Sequence, residues 1–167
     1  MNRRVLAGLA VVIMVALGVK AEAAGWETDF AKASTNASRS GLYMLLDFSG
    51  SDWCGWCMKL DEEVFSKPEF KKYANENLVC VMVDFPRQKK QDQKLKDQNA
   101  ELGRKYGIRG YPTVILLSPK GDLVGRTGYQ PGGARKYVGH LEKMIDEYKK
   151  QQPRNEDAHK PDAGDSK

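Results

Sequence analysis

Apolar residues in this 167-residue chain fall into two kinds of pattern. Residues 42–48 (Leu-Tyr-Met-Leu-Leu-Asp-Phe) and 78–85 are nearly continuous apolar runs. Such runs mark strands buried on both faces, as in the middle of a sheet covered by helices. Residues 114–117 form a shorter run of the same kind. The turn at 118–122 (Ser-Pro-Lys-Gly-Asp) lets 123–127 pair back onto it as a hairpin. Elsewhere apolar positions recur at helical intervals. Trp26, Phe30, Ala33 and Ala37 predict a helix over 26–40, with Thr28 as N-cap and Gly41 as its stop. Leu60, Val64, Phe65, Phe70 and Tyr73 predict a helix starting near Leu60, interrupted near Pro68, where a new segment begins. A further helix is expected from about 93 to 106. Tyr137, Leu141, Met144, Ile145 and Tyr148 mark a last one over 134–149. This order of elements predicts an α/β domain, with a central mixed sheet of about four strands flanked by helices.

The two ends of the chain do not join this pattern. Asn2, Arg3 and Arg4 form a short positive start, residues 5–19 are uncharged and almost wholly apolar, and Ala21-Glu22-Ala23 is a small-x-small site. Together they read as an export signal over 1–23, cleaved after Ala23. The alternative is a retained membrane anchor, for which the apolar run is short. Residues 151–167 are polar, with two prolines and no aromatic, and read as a disordered tail. One domain over 24–150 remains, destined for an exported, periplasmic setting. The net charge of +5 falls to +3 once residues 1–23 are discounted, and no basic run is interleaved with stacking aromatics. Both facts argue against a nucleic-acid partner.

Two of the three cysteines, Cys54 and Cys57, stand as Cys-x-x-Cys between the first strand and the helix after it. There, free backbone N–H groups and the helix dipole favour a thiolate, the form that attacks disulfides. On this reading Cys54 is an exposed nucleophile, and Cys57, one turn on, is the resolving thiol. Two other readings stand beside it. A static disulfide across so short a loop would remove little chain entropy. Half of a zinc site would need further ligands, but the only histidines are His140 and His159 and there is no second cysteine pair. Cys80, inside the 78–83 run, reads as a buried core thiol. Asp47 interrupts an apolar strand, which is costly unless the carboxyl serves in proton transfer or is satisfied by a partner at the strand end. Trp53 and Trp56 are either hydrophobic cover or client contacts, and Lys59 reads as a surface lysine, or alternatively as an electrostatic aid to the pair. The polar stretch 86–99 reads as a solvated excursion, or alternatively as a recognition surface for one partner.

Trp53-Cys54-Gly55-Trp56-Cys57 after Leu46-Asp47-Phe48 resembles the thioredoxin active site. Lys105-Tyr106-Gly107-Ile108-Arg109-Gly110-Tyr111-Pro112-Thr113 resembles the segment of that superfamily that ends in its cis-proline. The resemblance covers roughly 26–148 in element order and implies a thioredoxin-like fold. It implies a thiol–disulfide oxidoreductase in which Cys54 attacks, Cys57 resolves and Asp47 is the buried acid that moves the resolving thiol's proton. It further implies a cis Tyr111–Pro112 bond. With Trp53, Gly55, Trp56, Gly128 and Tyr129, these two residues would border a groove where a client peptide pairs as an extra strand. No metal or organic cofactor is implied. The implied partners are client proteins with disulfides or thiols and a membrane or periplasmic electron donor or acceptor. Three departures from the thioredoxin pattern stand out. Ser49-Gly50-Ser51-Asp52 is one residue longer, Gly55-Trp56 lacks the usual proline before the second cysteine, and the 86–99 excursion is longer than the usual connection. The reading from another class is a non-catalytic peptide-binding or adaptor module on the same fold.

Overall fold

The computed structural model describes residues 25–152; the export signal expected at 1–23 and the tail expected at the C-terminal end lie outside the described residues, apart from residues 151 and 152. The chain runs α1 (Phe30–Ser40), β1 (Tyr43–Ser49), α2 (Gly55–Leu60), a π-helical turn (Asp61–Phe65), α3 (Pro68–Asn77), β2 (Leu78–Asp84), α4 (Gln93–Lys105), β3 (Thr113–Leu117), β4 (Leu123–Thr127) and α5 (Gly133–Gln151). The four strands form one mixed sheet in the order β2-β1-β3-β4. β1 pairs parallel with β2 and antiparallel with β3, and β3 pairs antiparallel with β4. The expected α/β architecture with about four strands is the one found.

Alternation along the strands divides the core in two. Leu45, Cys80, Val114 and Leu116 face one layer with Leu60, Val64, Phe65 and Phe70, closed by Tyr137 and Leu141 of α5. Met44, Leu46, Phe48, Val81, Val83 and Ile115 face the other, against Ala33 and Ala37 of α1 and Leu102 of α4. β1 is covered on both faces, with six of its seven residues buried, which is why its sequence is continuously apolar instead of alternating. Each fully buried Leu or Phe side chain contributes about 1.5–3 kcal/mol. The registration β2-β1-β3 is therefore strongly held, since a one-residue slip would turn these side chains to the wrong layer.

Four boundaries differ from expectation. α1 begins at Phe30, and its N-cap is Asp29, whose carboxylate accepts the Lys32 N–H at 3.0 Å; the expected cap Thr28 lies outside the helix. Trp26 is also outside it, stacked on Phe65 at 5.0 Å between ring centroids. Glu27 meanwhile exchanges backbone hydrogen bonds with Cys80 and Met82 on the outer edge of β2. Helical spacing cannot distinguish a lead-in segment that packs on the core from the helix it precedes. The second correction concerns the helix after the cysteines, which starts at Gly55 rather than near Leu60. It widens into the π turn, where the Ser66 N–H reaches back to the Asp61 carbonyl. Val64 and Phe65 are both buried in this turn. Pro68 opens α3 as expected. The other two boundaries are small: β2 ends at Asp84, one residue early, and α5 reaches Gln151, so residue 151 belongs to the helix and not to the tail.

Candidate active site

The sequence from the end of β1 to the start of α2 folds as a tight loop closed by its own backbone. The N–H groups of Trp53 and Cys54 both donate to the Gly50 carbonyl, at 3.1 and 2.8 Å. A glycine is needed at position 50, because a Cβ there would overlap the Trp53 indole. Cys54 then serves as the N-cap of α2: its backbone is extended and its Sγ accepts the Cys57 N–H at 3.2 Å. A sulfur in this position takes the place of the oxygen of a Ser or Asp cap, and any negative charge on it faces the Cys57 N–H, which it shares with the Cys54 carbonyl at 3.0 Å. Cys54 and Cys57 are joined as a disulfide. Cys54 is 6 % exposed and Cys57 4 %. The expected exposed nucleophile is therefore largely covered, and the exposed residues around the pair are Gly55, Trp56, Met58 and Lys59.

Trp56 and Tyr129 lie 5.2 Å apart, with the Lys59 ammonium 5.2 and 5.3 Å from their ring centres. The Tyr129 hydroxyl donates to Glu63 at 2.6 Å, and Lys59 pairs with the same carboxylate at 3.8 Å. Lys59 is exposed, as expected of a surface lysine, and is also part of an aromatic and charged cluster that includes Trp56 of the cysteine motif. On the other side, the Trp53 ring meets Tyr111 edge-on at 5.6 Å, and Tyr111 packs on Phe85 at 5.3 Å. The Tyr111–Pro112 peptide bond is cis. Gly128 passes close to it: a Cβ at 128 would stand 3.0 Å from the Pro112 carbonyl oxygen. Trp53, Tyr111, Pro112 and Gly128 thus form one connected rim, and Trp56 and Tyr129 another.

Asp47 occupies β1 opposite Met82 and Val114, 3 % exposed. One carboxyl oxygen, Oδ1, has no hydrogen-bond partner. Burial, with smaller contributions from the Asp61 and Asp84 carboxylates, raises its pKa from 3.8 to about 7. A carboxyl so placed can give up or take a proton near neutrality. Cys80 lies on the same face of the sheet, and burial, with a smaller effect of Asp47, pushes its thiol to about 12. It is a buried core thiol. Among the described residues there is no group of three or more His, Cys, Asp or Glu side chains that could hold a metal ion.

Two acids that the sequence did not single out organise the loop. Asp84 accepts the Ser51 N–H at 2.8 Å and the Ser51 hydroxyl at 2.6 Å. Asp52 accepts the backbone N–H groups of Arg87, Gln88 and Lys89 at 2.8–3.0 Å, and these bonds, foremost that from Arg87, hold its carboxyl down near 2. The Trp53 indole N–H donates to the Phe85 carbonyl at 2.8 Å, and the Arg87 guanidinium covers the Trp53 ring at 3.9 Å. The only sequence signal for this was that two departures from the thioredoxin pattern, at 49–52 and at 86–99, occur in the same chain.

Known proteins resemble this chain. The thioredoxin-like domain family matches residues 30–145. The disulfide bond reductase DsbH of Chlamydia pneumoniae is 32% identical over 120 residues, which cover 72% of each chain. The thioredoxin-related protein DsbJ of the same organism is 37% identical over 103 residues, and this chain spans 30% of its length. A solved structure of a DsbH oxidoreductase superposes with a TM-score of 0.71 at 29% identity, covering 83% of this chain and 95% of the other. A thioredoxin from Thermus thermophilus, at 19% identity and a TM-score of 0.56, shares the fold over 84% of this chain and 99% of its own. The chain belongs to the thioredoxin-like domain family.

Proposed function

We propose that this thiol–disulfide oxidoreductase works outside the cytoplasm on protein disulfides, as a reductase or isomerase more than as an oxidase. The observation that carries the reading is the Cys54–Cys57 disulfide at the start of α2, with Cys54 Sγ held on a helix N–H and flanked by the rim containing cis Pro112. Similarity to a disulfide bond reductase over 72% of its length supports the direction.

In the reduced enzyme the Cys54 thiolate attacks one sulfur of a client disulfide, and the other client sulfur leaves as a thiol. Cys57, its proton passed toward Asp47, attacks the Cys54 sulfur. The client departs with two thiols, and the Cys54–Cys57 pair is left oxidised by two electrons. Those electrons reside in the pair itself, so the chemistry needs no metal or organic cofactor, and a membrane or periplasmic donor restores them. A client chain lies along Trp53, Gly55, Trp56, Tyr111, Pro112, Gly128 and Tyr129. Export by residues 1–23, a domain over 24–150 and a polar tail after it complete the proposal.

Exchanging Cys54 for serine tests it. Reduction of a protein disulfide is lost, while Cys57→Ser accumulates mixed disulfides with clients. Equilibration with glutathione buffers, read by thiol alkylation, then fixes the direction: a strongly reducing midpoint supports the reductase. A pair that never interconverts would leave the adaptor reading in its place.

A further inference from the structure

Resting on the oxidoreductase reading, we propose that the 86–96 excursion is a docking edge for an acidic stretch of the polypeptide that carries the client disulfide. Between residues 84 and 96 the chain holds five cations (Arg87, Lys89, Lys90, Lys94, Lys96) against two carboxylates, Asp84 and Asp92. The fold separates these charges. Asp84 is occupied by Ser51, Asp92 caps α4 by accepting the Leu95 N–H at 2.9 Å, and the neighbouring Asp52 is occupied by three backbone N–H groups. All five cations are exposed, and among the described residues none of them forms an ion pair with a carboxylate. The Lys89 ammonium instead donates to the Ser51 hydroxyl at 3.1 Å. The acids are hydrogen-bonded within the fold, while the cations stay exposed, Lys89 acting on Asp52 and Lys94 on Asp29 at longer range.

Position turns this from a solvated run into a docking edge. The excursion is fastened to the residue next to Cys54 through the indole–Phe85 bond and the Arg87 cover on Trp53. Its base is held by Gln91 and Asn99, which both donate to the Asp84 carbonyl. The cations are therefore ordered before a partner arrives, and little conformational entropy is lost when one binds. On the proposed reading, the sulfur that reacts at Cys54 belongs to a client polypeptide. The anion that these cations meet at that moment is thus a carboxylate on the same polypeptide. The excursion lacks the aromatic residues that a nucleic-acid strand would stack on, apart from Phe85, which is packed on Tyr111.

The test uses three disulfides of different charge: an acidic cystine peptide, a basic one of matched length, and neutral bis(2-hydroxyethyl) disulfide. The natural protein is expected to prefer the acidic peptide at low salt and to lose the preference near about 1 M salt, where the Debye length is about 3 Å. Lys89→Glu combined with Lys90→Glu should lower kcat/KM for the acidic peptide about tenfold relative to the neutral disulfide and raise it for the basic one. Because Lys89 touches the active-site loop, Lys90→Glu alone is the second variant; its acidic-to-basic ratio should fall in the same direction. An unchanged ratio in both variants overturns the proposal. So does a natural protein that shows no peptide preference but is retained by phosphatidylserine vesicles. A natural protein that reduces none of the three disulfides refutes the underlying oxidoreductase reading instead.

Discussion

Asp47→Asn isolates the cost of holding a carboxyl in the core. The native carboxyl titrates near 7, against an ordinary value of 3.8. Below pH 4 it is protonated in both the folded and the unfolded chain and contributes no pH-dependent difference. As pH rises from about 4 to about 7, the unfolded chain ionises and the folded one does not, so the folded state loses stability progressively. Above 7 both are ionised and the full penalty stands. At about 1.4 kcal/mol per pH unit, the interval corresponds to about 4 kcal/mol. Asparagine keeps the shape and cannot ionise. Its buried, partnerless amide adds an offset of about 1–3 kcal/mol that does not vary with pH, leaving the slope as the signal. Urea unfolding of the oxidised proteins across about pH 3 to 9 gives the two stability curves. The variant-minus-native difference should be flat below pH 4, rise through neutrality and level off above 7. Oxidation keeps the Cys54 and Cys57 thiols out of the titration. A flat difference curve, or one whose rise is complete by pH 5, would show that the carboxyl keeps its ordinary pKa and would remove the physical basis for its role in proton transfer.

The remaining predictions concern the same neighbourhood. If Asp47 has the proposed proton-transfer role, reducing the Cys54–Cys57 pair should move its titration upward, because a thiolate close to it disfavours a second negative charge; carbon-13 resonances of the carboxyl would follow it, and an unmoved titration would separate Asp47 from the pair. Gly50→Ala should cost about 1–3 kcal/mol in unfolding free energy, since the added methyl overlaps the Trp53 indole. A change in tryptophan emission should accompany the loss, and native stability with native emission would contradict the packing. With its thiol near 12, only about one Cys80 in ten thousand is ionised at pH 8. Native reduced protein should accordingly take up two alkyl groups by mass spectrometry and a third only after unfolding.

The strands were legible because burial leaves a strong mark on composition. A strand covered on both faces must be apolar at every position, and residues 42–48 and 78–85 could hardly be anything else. The hairpin was legible from its turn, and the redox pair from its place between strand and helix. Boundaries set by single capping bonds were less visible. Thr28 and Asp29 are both competent N-caps by chemistry, and only the path of the chain along β2, where Glu27 pairs with Cys80 and Met82, decides for Asp29. The π turn was hidden for a related reason. A helix with one extra residue in a turn has nearly the periodicity of a regular one over so short a span. The accessibility of Cys54 was misread because spacing says which residue caps the helix, and says nothing of what lies over it.

What the sequence could not reveal is that its two extra segments belong together. The lengthened loop at 49–52 supplies Asp52, and the lengthened excursion supplies three consecutive N–H groups that a single carboxylate can gather. Neither makes sense alone. Three backbone donors in an exposed connection would otherwise be left to water, and an aspartate beside a redox pair would otherwise bring a negative charge that disfavours the thiolate. Joined, each answers the other's need: the carboxylate's charge is stabilised by three backbone N–H groups, and the connection gains a fixed course past Trp53. These contacts join residues 32 to 38 positions apart, with no periodicity to announce them. They also separate the roles of the two tryptophans. Trp53, with its N–H bonded and its ring covered by Arg87, is a pin between loop and excursion, while Trp56, 58 % exposed, is free to meet a client. Two tryptophans, one just before the motif and one inside it, therefore stand in different surroundings, and the difference comes from the partner that the excursion brings to one of them.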